Sequence, residues 1–474
     1  MCTVAFAMVR RSLSSAAAPL VLLAVVSVLS FAARAALLGE PCQSPCNRAA
    51  QHTLIFDEAY YVNAARVIAG LRPAPGAHYA DAPSGTDPNA EHPQLAKLII
   101  AGAIELFGDG PFAWRIGSLI FGSLAILGMF ALVRAAGGGR WSAVCASTLM
   151  ACDNLLLVHG RIGTLDIYAV AAMIWGVAFY VRGRPVLAGL VLGVGACFKL
   201  VDPYAVAVLA LLELVRFVCS RRRRASPESW RLRPVIARLV TCTFTGVAVF
   251  LGLLGVLDRI ATPYDDANAK LITGGPFAHL AHMISYAAQQ TSPHGPQGIA
   301  SYPWQWLFDL TPITYLRVSA SAPGQSVGAV HPVSRFIGMI SPPILLLALP
   351  ALALACYRFI RLRRVPDPVS STLESGSPES GAWERAYGDV QLAILGVAWF
   401  LGTWLPFQAL SLLDNRTSYI YYMVIVMPGI YIAVTYLISR AWRLRRKLVR
   451  GVVLAWALAV LVAVGIMYPF VPLF

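Results

Sequence analysis

Apolar residues along the chain form long blocks, which are separated by short segments rich in glycine, proline or arginine. Many of these blocks approach the length of roughly 17–25 residues that an α-helix needs to cross a bilayer. The pattern therefore predicts an all-α polytopic membrane protein with about eleven spanning helices. They are Ala16–Leu38, Phe112–Val133, Trp141–Val158, Thr164–Val181, Pro185–Leu200, Pro203–Val218, Val235–Leu257, Phe336–Tyr357, Val390–Leu410, Tyr419–Ile438 and Val452–Pro469.

One further apolar block, His92–Gly110, is shorter and more polar than the others. Its apolar core of about 14 residues contains Lys97 and Glu105, which is unfavourable for a span. If it does not cross, all the arginine clusters lie on one face of the membrane; if it crosses, the cluster at residues 9–11 lies opposite the others. Because positive residues collect on the cytoplasmic side, we predict an amphipathic helix in the interface. The N-terminus is then cytoplasmic and the C-terminus is outside.

The composition agrees with this class of protein. The chain is 58% hydrophobic and 13% charged, against about 25% charged residues in ordinary globular domains. Its net charge of +15 comes mainly from the arginine clusters between spans, which indicates membrane orientation and not nucleic-acid binding. We expect one transmembrane domain over residues 1–474, with outer loops at 39–111 and 258–335. In the inner loop at 358–389, the stretch "PDPVSSTLESGSPESG" is expected to be disordered.

The N-terminal region leaves two questions open. Its first apolar block has features of a signal peptide, but Ala16–Leu38 is long enough to span, so we favour a retained helix. Cys42 and Cys46 form a small disulfide if their loop faces an oxidising compartment, and two free thiols are the alternative.

Charged residues gather at the predicted outer loops and outer helix ends. Such groups are costly beside apolar helices unless they are paired or functional. A mixture of acids and cations at one membrane surface suits a reaction on an anionic lipid headgroup, in which cations hold a phosphate and an acid takes a proton from a hydroxyl. The set comprises Asp57, Glu58, Glu91, His92, Lys97, Arg115, Arg161, Asp166, Lys199, Asp202, Arg259 and Arg416.

Ordered sequence motifs support a specific resemblance. The acidic pair in "FDEAYY" is followed by "EHPQLAK", in which Gln94 takes the place of a second proline in a His-Pro-Pro-x-x-Lys pattern. Matching segments continue with "WRIGSLIFGSL", "LMACDNLLLVHGRIGTLDIY", "ACFKLVDPY", "SYPWQWL", "ISPPILL" and "NRTSYIYYMVIVMPG". Together they resemble the protein O-mannosyltransferase family, membrane glycosyltransferases of the GT-C type. The resemblance is to bacterial members, which lack a large luminal domain. The expected fold is therefore a GT-C transmembrane domain, with the interfacial helices that the charge pattern predicts in the first outer loop.

The resemblance also implies a chemistry. The donor would be a polyprenyl-phosphate sugar, with mannose as the expected sugar, and the acceptor a hydroxyl, expected to be that of serine or threonine in an exported protein. Asp57 would act as the base of an inverting attack, and Glu58 would position or tune it. The donor phosphate would contact Lys97, Arg115, Arg161 and Arg416, and the substrates would contact Tyr61, His92, Trp304 and Trp306. Neither a metal nor another cofactor is expected, since a monophosphate can be held by arginines and the chain has no Asp-x-Asp.

Most of these residues also have a plainer structural interpretation. Asp57 can cap a helix, with Glu58 favourable in its first turn. Lys97 can extend to the interface, and the tyrosines and tryptophans can form an interfacial belt. Three pairings would also remove charges from function: Asp166 with Arg161, Lys199 with Asp202, and Arg416 with Asp414.

Two other functions remain as alternatives. The same scaffold and donor could serve a glycolipid or cell-wall glycan acceptor, which analysis of secreted proteins and lipids would distinguish. A lipid-linked sugar transporter or flippase would instead show inverted repeats and polar groups near the midplane, whereas these charges gather at one surface. The expected location is the bacterial plasma membrane, with the active site on the extracytoplasmic face; the partners are membrane lipid, donor and acceptor, and the oligomeric state is open.

Overall fold

A computed structural model of the protein describes residues 17–43, 45–221, 232–319, 333–362 and 378–470. Within these ranges the fold is predominantly helical. The arginine cluster at residues 9–11 and most of the stretch expected to be disordered lie outside the described residues. The helices are α1 (Ala18–Ala35), α2 (Glu58–Ile68), α3 (Leu95–Phe107), α4 (Pro111–Ala135), α5 (Arg140–Cys152), α6 (Asn154–His159), α7 (Asp166–Val181), α8 (Pro185–Ala196), α9 (Pro203–Arg221), α10 (Leu232–Ile260), α11 (Gly275–Gln289), α12 (Pro303–Trp306), α13 (Pro342–Leu346), α14 (Ala348–Leu362), α15 (Pro378–Leu413), α16 (Met423–Arg443) and α17 (Lys447–Met467). The strands are β1 (Thr86–Asp87), β2 (Thr262–Asp265), β3 (Lys270–Leu271), β4 (Ile313–Ser319) and β5 (Val333–Gly338).

The described helices include six that are long and apolar enough to cross a membrane, namely α1, α4, α10, α15, α16 and α17. Three shorter apolar stretches, Asp166–Val181, Pro185–Ala196 and Pro342–Arg358, accompany them. The protein is a multi-pass helical membrane protein, and the count of eleven spans stays a prediction.

Two predicted spans have a different local structure. The predicted span Trp141–Val158 is divided into α5 and α6 at Asp153, whose carboxylate accepts a hydrogen bond from the backbone N–H of Leu155 at 3.2 Å and so caps a new helix. The predicted span Phe336–Tyr357 begins too early, because residues 336–338 belong to β5.

Helix α16 lies inside the bundle over most of its length. Its residues 423–436 are all buried, and it packs against α5, α7, α14, α15 and α17. In contrast, the apolar stretches of α10 and α17 are largely exposed, as expected for helices that face lipid. Helices α8 and α10 approach closely at Gly193, where a Cβ atom would lie 2.6 Å from the carbonyl oxygen of Gly246.

The two predicted outer loops are joined to each other. Strand β1 of the first loop pairs in parallel with β2 of the second, and β2 pairs antiparallel with β3. Gln94, which replaces the second proline of the family motif, donates to Asp258 at 2.7 Å, and His279 lies 2.7 Å from the same carboxylate oxygen. These contacts fix the first loop against the start of the second.

Helix α3 is the element that was predicted to lie in the interface. It has 13 residues and buries Ala96, Lys97 and Ile100, whereas Leu106 and Phe107 at its end are exposed. It packs between α2 and α4. Its orientation in a bilayer stays a prediction.

A disulfide near the N-terminus and a strand pair beside the C-terminal segment complete the described fold. Cys42 and Cys46 are joined in a disulfide, which is the first of the two alternatives left by the sequence. The antiparallel hairpin of β4 and β5 contacts the C-terminal segment, since the backbone N–H of Arg335 donates to the carbonyl of Pro469 at 2.7 Å.

Candidate functional site

A cavity of about 380 Å³ lies where the two loops meet the segment that leads into α16. Its wall combines acids, cations and many aromatic rings. The residues that line it include Phe56, Asp57, Tyr60, Tyr61, Asn89, Glu91, His92, Lys199, Leu200, Tyr204, Tyr286, Arg416, Tyr419, Tyr421 and Tyr422. Of the predicted site residues, the cavity therefore brings together Asp57, Tyr61, His92 and Arg416.

Asp57 presents a free carboxylate to this cavity. It precedes α2, but its side chain makes no capping hydrogen bond, so the structure does not support the helix-cap interpretation. Phe56 before it has a φ of +54°, which is unfavourable for a residue with a side chain, and its ring stacks on Tyr315 with centroids 4.1 Å apart. Within the described residues, the Asp57 carboxylate has no hydrogen bond or salt bridge. Burial raises the pKa of Asp57 to about 7, although Lys199 acts to lower it.

Glu58 has a separate environment, although it is adjacent in sequence. Its side chain is fully buried, and its two oxygens accept hydrogen bonds from Arg115 at 2.8 and 2.7 Å. It also accepts from the backbone N–H groups of Ile55 at 2.8 Å and Gly163 at 2.6 Å. A Cβ atom at position 163 would lie 2.8 Å from the carbonyl oxygen of Trp114, so only glycine lets this backbone approach. Glu58 thus fixes the turn that carries Asp57 and does not line the cavity.

Two of the three arginines expected at the donor phosphate point elsewhere. Arg115 donates to Glu58 and to the carbonyls of Leu38 and Thr53, which leaves the guanidinium no free edge for a phosphate. Arg161 donates to the carbonyls of Ala36 and Leu37 at 3.0 and 3.3 Å. Its guanidinium also lies 4.7 Å from the ring centre of Phe470. Both arginines are buried and do not line the cavity.

Lys97 also differs from its expected role. It is completely buried, and its ammonium lies 2.6 Å from a carboxylate oxygen of Asp87. It donates to the backbone carbonyls of Asn89 and His92, the latter at 2.9 Å. It therefore neither extends to the interface nor faces the cavity, but holds the segment that presents Asn89, Glu91 and His92.

Two cations do face the cavity. Lys199 lies 2.6 Å from Asp166 and 5.4 Å from the ring centre of Tyr421. Arg416 donates one hydrogen bond to the carbonyl of Ala287 and forms no salt bridge to Asp414 or to any other described acid. The suggested pairings of Lys199 with Asp202 and of Asp166 with Arg161 are wrong.

Aromatic and imidazole side chains form the rest of the wall. Tyr61 is buried with one side towards the cavity, and its ring centre lies 5.9 Å from that of His92. Burial, with Lys199 and Lys97 nearby, lowers the pKa of His92 to about 3, so its imidazole is neutral at pH 7 and supplies hydrogen bonds but no charge.

The two tryptophans expected at the substrate lie outside the cavity. Trp304 is 45% exposed at the surface. Trp306 is buried behind the wall, where its indole donates to Ser301 at 2.9 Å and its ring contacts Phe407 and Tyr422 edge-on. The substrate-contact expectation fails for both because α12 turns them away from the cavity.

Sequence reasoning did not assign Glu91, Lys199 or the tyrosines around residue 421 to the site. Each lies inside a family-like segment, namely "EHPQLAK", "ACFKLVDPY" and "NRTSYIYYMVIVMPG". Glu91 and Lys199 belong to the set of outer charged residues described above, because a charge at the end of an apolar block is costly unless paired or functional, but no role at the substrate was predicted for them.

An apolar groove of about 470 Å³ adjoins the polar cavity. It lies between α8, α9 and α10 and is lined by residues such as Leu192, Val206, Val247 and Phe250. Leu200 contributes to both spaces, so the groove and the cavity are neighbours. A ligand with an apolar chain and a polar head fits this arrangement.

The fold has counterparts among solved structures. The fold is similar to the Saccharomyces cerevisiae protein O-mannosyltransferase Pmt1-Pmt2 complex bound to the sugar donor, with a TM-score of 0.69 and 12% identity over 97% of this chain and 91% of that chain. It is also similar to the oligosaccharyltransferase AglB from Archaeoglobus fulgidus, with a TM-score of 0.51 and 14% identity over 95% of this chain and 55% of that one. The protein is therefore a membrane protein of the GT-C glycosyltransferase fold.

Sequence comparison narrows this class. Residues 91–243 match the family model of dolichyl-phosphate-mannose-protein mannosyltransferases. A polyprenol-phosphate-mannose–protein mannosyltransferase of Corynebacterium glutamicum is 36% identical over 123 residues, which are 26% of this chain and 23% of that protein. Proteins of the same name are 23% identical in Mycobacterium tuberculosis, over 57% of this chain and 60% of that protein, and in Mycolicibacterium smegmatis, over 71% of both. The matched regions cover less than two thirds of the length of the first two of these relatives. The family model and the named relatives confirm the predicted resemblance to the protein O-mannosyltransferase family.

Proposed function

We propose that the protein transfers mannose from a polyprenyl-phosphate donor to a hydroxyl group of an exported protein. The observation that carries this proposal is the free carboxylate of Asp57 in one cavity with Lys199 and Arg416, beside an apolar groove. The groove suits the polyprenyl chain of such a donor, and the two cations suit its phosphate. The names of the curated relatives support mannose as the sugar and protein as the acceptor.

The proposed reaction is a single inverting displacement. The ionised carboxylate of Asp57 takes the proton of the acceptor hydroxyl while the oxygen of that hydroxyl forms a bond to the anomeric carbon of the sugar. The bond from that carbon to the phosphate oxygen breaks, and its electron pair leaves with the lipid phosphate. Protonated Asp57 then releases its proton to water. With a pKa of about 7, this carboxyl is basic enough to accept a proton and is about half ionised near neutral pH.

The leaving phosphate is a stable anion, so it needs cations and no general acid. In the proposal Arg416 and Lys199 take over the role first expected of Arg115 and Arg161. The neutral imidazole of His92 and the hydroxyls of the tyrosines donate or accept hydrogen bonds at the sugar. The mechanism uses no metal, since a monophosphate ester has no diphosphate that requires a divalent bridge.

The topology forms part of the proposal. Positive residues at the ends of the apolar blocks favour a cytoplasmic N-terminus, and they thereby support an extracytoplasmic position for both loops of the cavity. An exported acceptor protein would meet the donor there.

Transfer in reconstituted membranes tests the proposal. Full-length protein is placed in liposomes with labelled polyprenyl-phosphate-mannose and a mixture of exported proteins and lipids from a strain that lacks the gene. We expect label in protein, with a rate that falls by about 100- to 10,000-fold in Asp57→Asn. The matched control is Glu105→Gln, an exposed carboxylate on α3, which should transfer at the wild-type rate.

The products separate the alternatives. Label in lipid or glycan alone would replace the protein acceptor with the other acceptor class. Movement of donor between leaflets without any glycosidic product would identify a flippase, and full transfer by Asp57→Asn would remove Asp57 from the reaction.

A further inference from the structure

Glu91 is a second carboxylate in the cavity, and the proposed transfer reaction does not use it. It lies directly before His92 and is partly exposed to the cavity that contains Asp57. Burial raises the pKa of Glu91, although Lys97 and Asn89 act to lower it. Among the described salt bridges none includes Glu91, so its carboxylate is not neutralised by a paired cation.

A buried scaffold holds this carboxylate in place. The side-chain amide of Asn89 donates to Glu91 at 2.7 Å and to the hydroxyl of Tyr79 at 3.0 Å. The amide oxygen of Asn89 lies 3.3 Å from the ammonium of Lys97, which also binds the Asn89 carbonyl. The side chain of Asn89 is thereby oriented with its amide nitrogen towards Glu91.

The scaffold itself contains an ion pair that is costly to bury. Lys97 and Asp87 are both fully buried, and Asp87 also accepts a hydrogen bond from the backbone N–H of Asn89 at 3.2 Å. A buried ion pair adds little net stability compared with apolar residues of the same volume. Its presence here is explained if it fixes the geometry of a functional group, in the way that surrounding residues position the groups of a binding site.

The surroundings of Glu91 match the chemistry of a sugar. A pyranose ring presents hydroxyl donors at its edge and C–H groups on its faces. Glu91 offers a carboxylate that accepts from such hydroxyls, and Tyr61, Tyr286 and Tyr422 line the same cavity with aromatic rings. Hydrogen bonds to a charged acceptor are stronger than those between neutral groups.

We propose that Glu91 is a specificity-determining residue, whose carboxylate accepts hydrogen bonds from hydroxyl groups of the transferred sugar. Asn89 and Lys97 are its positioning residues. This inference rests on the proposed function, because it concerns the sugar of a polyprenyl-phosphate donor. A site built to bind a substrate hydroxyl rejects an analogue that lacks it, since its own buried polar group is then left unpaired.

Donors that lack single hydroxyls test this inference directly. The full-length protein is reconstituted with polyprenyl-phosphate-mannose and with its 2-, 3-, 4- and 6-deoxy analogues, and kcat/KM is measured for each. We expect the wild type to use at least one deoxy donor about 10- to 100-fold less well than the intact donor. In Glu91→Ala the ratio of kcat/KM between the intact and the deoxy donor should fall to about twofold. The variant lacks the carboxylate, so removal of the sugar hydroxyl no longer breaks a hydrogen bond.

A conservative variant and a control complete the experiment. Glu91→Gln retains the shape and the acceptor oxygen, so it should show an intermediate ratio, and it replaces Glu91→Ala if the alanine variant fails to fold. Glu105→Gln, which lies outside the cavity, should keep the wild-type ratio for every donor.

The outcomes separate the two proposals. If the wild type transfers mannose but both Glu91 variants keep its ratio for every deoxy donor, Glu91 does not read the sugar and only this inference is overturned. If the wild type transfers none of the polyprenyl-phosphate sugars, the proposed function fails and the inference fails with it.

Discussion

The pH dependence of the transfer rate offers the sharpest test of the role given to Asp57. Burial raises the pKa of its carboxyl to about 7, Lys199 acts to lower that pKa, and Asp166 acts to raise it. Only the ionised carboxylate can take a proton from the acceptor. We therefore predict that kcat/KM rises with pH around a midpoint of about 7.

Lys199→Met is the perturbation that exposes this electrostatic balance. It removes the charge that lowers the pKa of Asp57 and leaves Asp166 as a nearby negative charge without its partner. An opposite charge close to a carboxyl lowers its pKa by roughly 1–3, so the midpoint should move upwards by about one pH unit or more. A rise of about one unit reduces the ionised fraction at pH 7 from about one half to about one tenth. This change alone slows the reaction about fivefold at pH 7 and is recovered at pH 9.

A double variant provides the control. Lys199→Met with Asp166→Asn removes both neighbouring charges, so its midpoint should lie below that of Lys199→Met alone. Loss of Lys199 also weakens the binding of the donor phosphate, but that effect does not depend on the ionisation of Asp57. The position of the midpoint therefore separates the electrostatic effect from the binding effect.

The assay is the initial rate of label transfer in liposomes, measured at low donor concentration from about pH 5 to 9. An unchanged or lowered midpoint in Lys199→Met would refute the electrostatic argument. A residual rate in Asp57→Asn with the same midpoint as the wild type would show that another group titrates.

Further variants separate structural from functional charges. Glu58→Gln should lower the free energy of unfolding by about 3–5 kcal/mol, because it leaves a buried arginine without its counter-charge; thermal unfolding in detergent measures this, and an unfolding temperature equal to that of Glu105→Gln would contradict it. Arg416→Ala should raise the KM for the donor about 10- to 100-fold with little change in unfolding temperature. Arg161→Ala should lower the unfolding temperature and leave the KM for the donor nearly unchanged. A raised KM for the donor without a lower unfolding temperature would support the phosphate-binding role first expected of Arg161. A cysteine introduced by Ala74→Cys, in the exposed part of the first loop, should react with a membrane-impermeant reagent added from outside; protection from outside and labelling only after permeabilisation would overturn the topology.

The fold class was accessible from the sequence because bilayer thickness imposes a simple length rule on apolar blocks. Each predicted span contains a helix in the structure, and α3 is a short helix where an interfacial one was expected. The breaks inside the blocks were not predicted. The split at Asp153 depends on hydrogen bonds from the backbone N–H groups of Leu155 and Ser341, and Ser341 is distant in sequence.

The candidate site was predicted only in part, for a physical reason. The family resemblance indicates which charged residues matter, but it does not indicate which neighbours neutralise them. Arg115 and Glu58 lie 57 positions apart in sequence, yet their side chains are hydrogen-bonded in the structure. Only the packing of α4 against the start of α2 turns these two expected functional groups into one buried pair. Lys199 was one of the outer charged residues in the sequence, but only the structure shows that it lines the cavity and that Asp166 is its partner.

The position of Leu200 has a consequence for the depth at which a lipid substrate would be held. One side chain forms part of the wall of the polar cavity and of the apolar groove, so the transition between the two environments takes place within the width of a leucine. An amphiphile bound in this protein would place its polar headgroup in the cavity and its apolar chain in the groove. The boundary between them would then fix the position of the headgroup relative to Asp57. A bulkier residue at this position would shift that height, and the reacting carbon would then be misaligned with the base even though every charged group was intact.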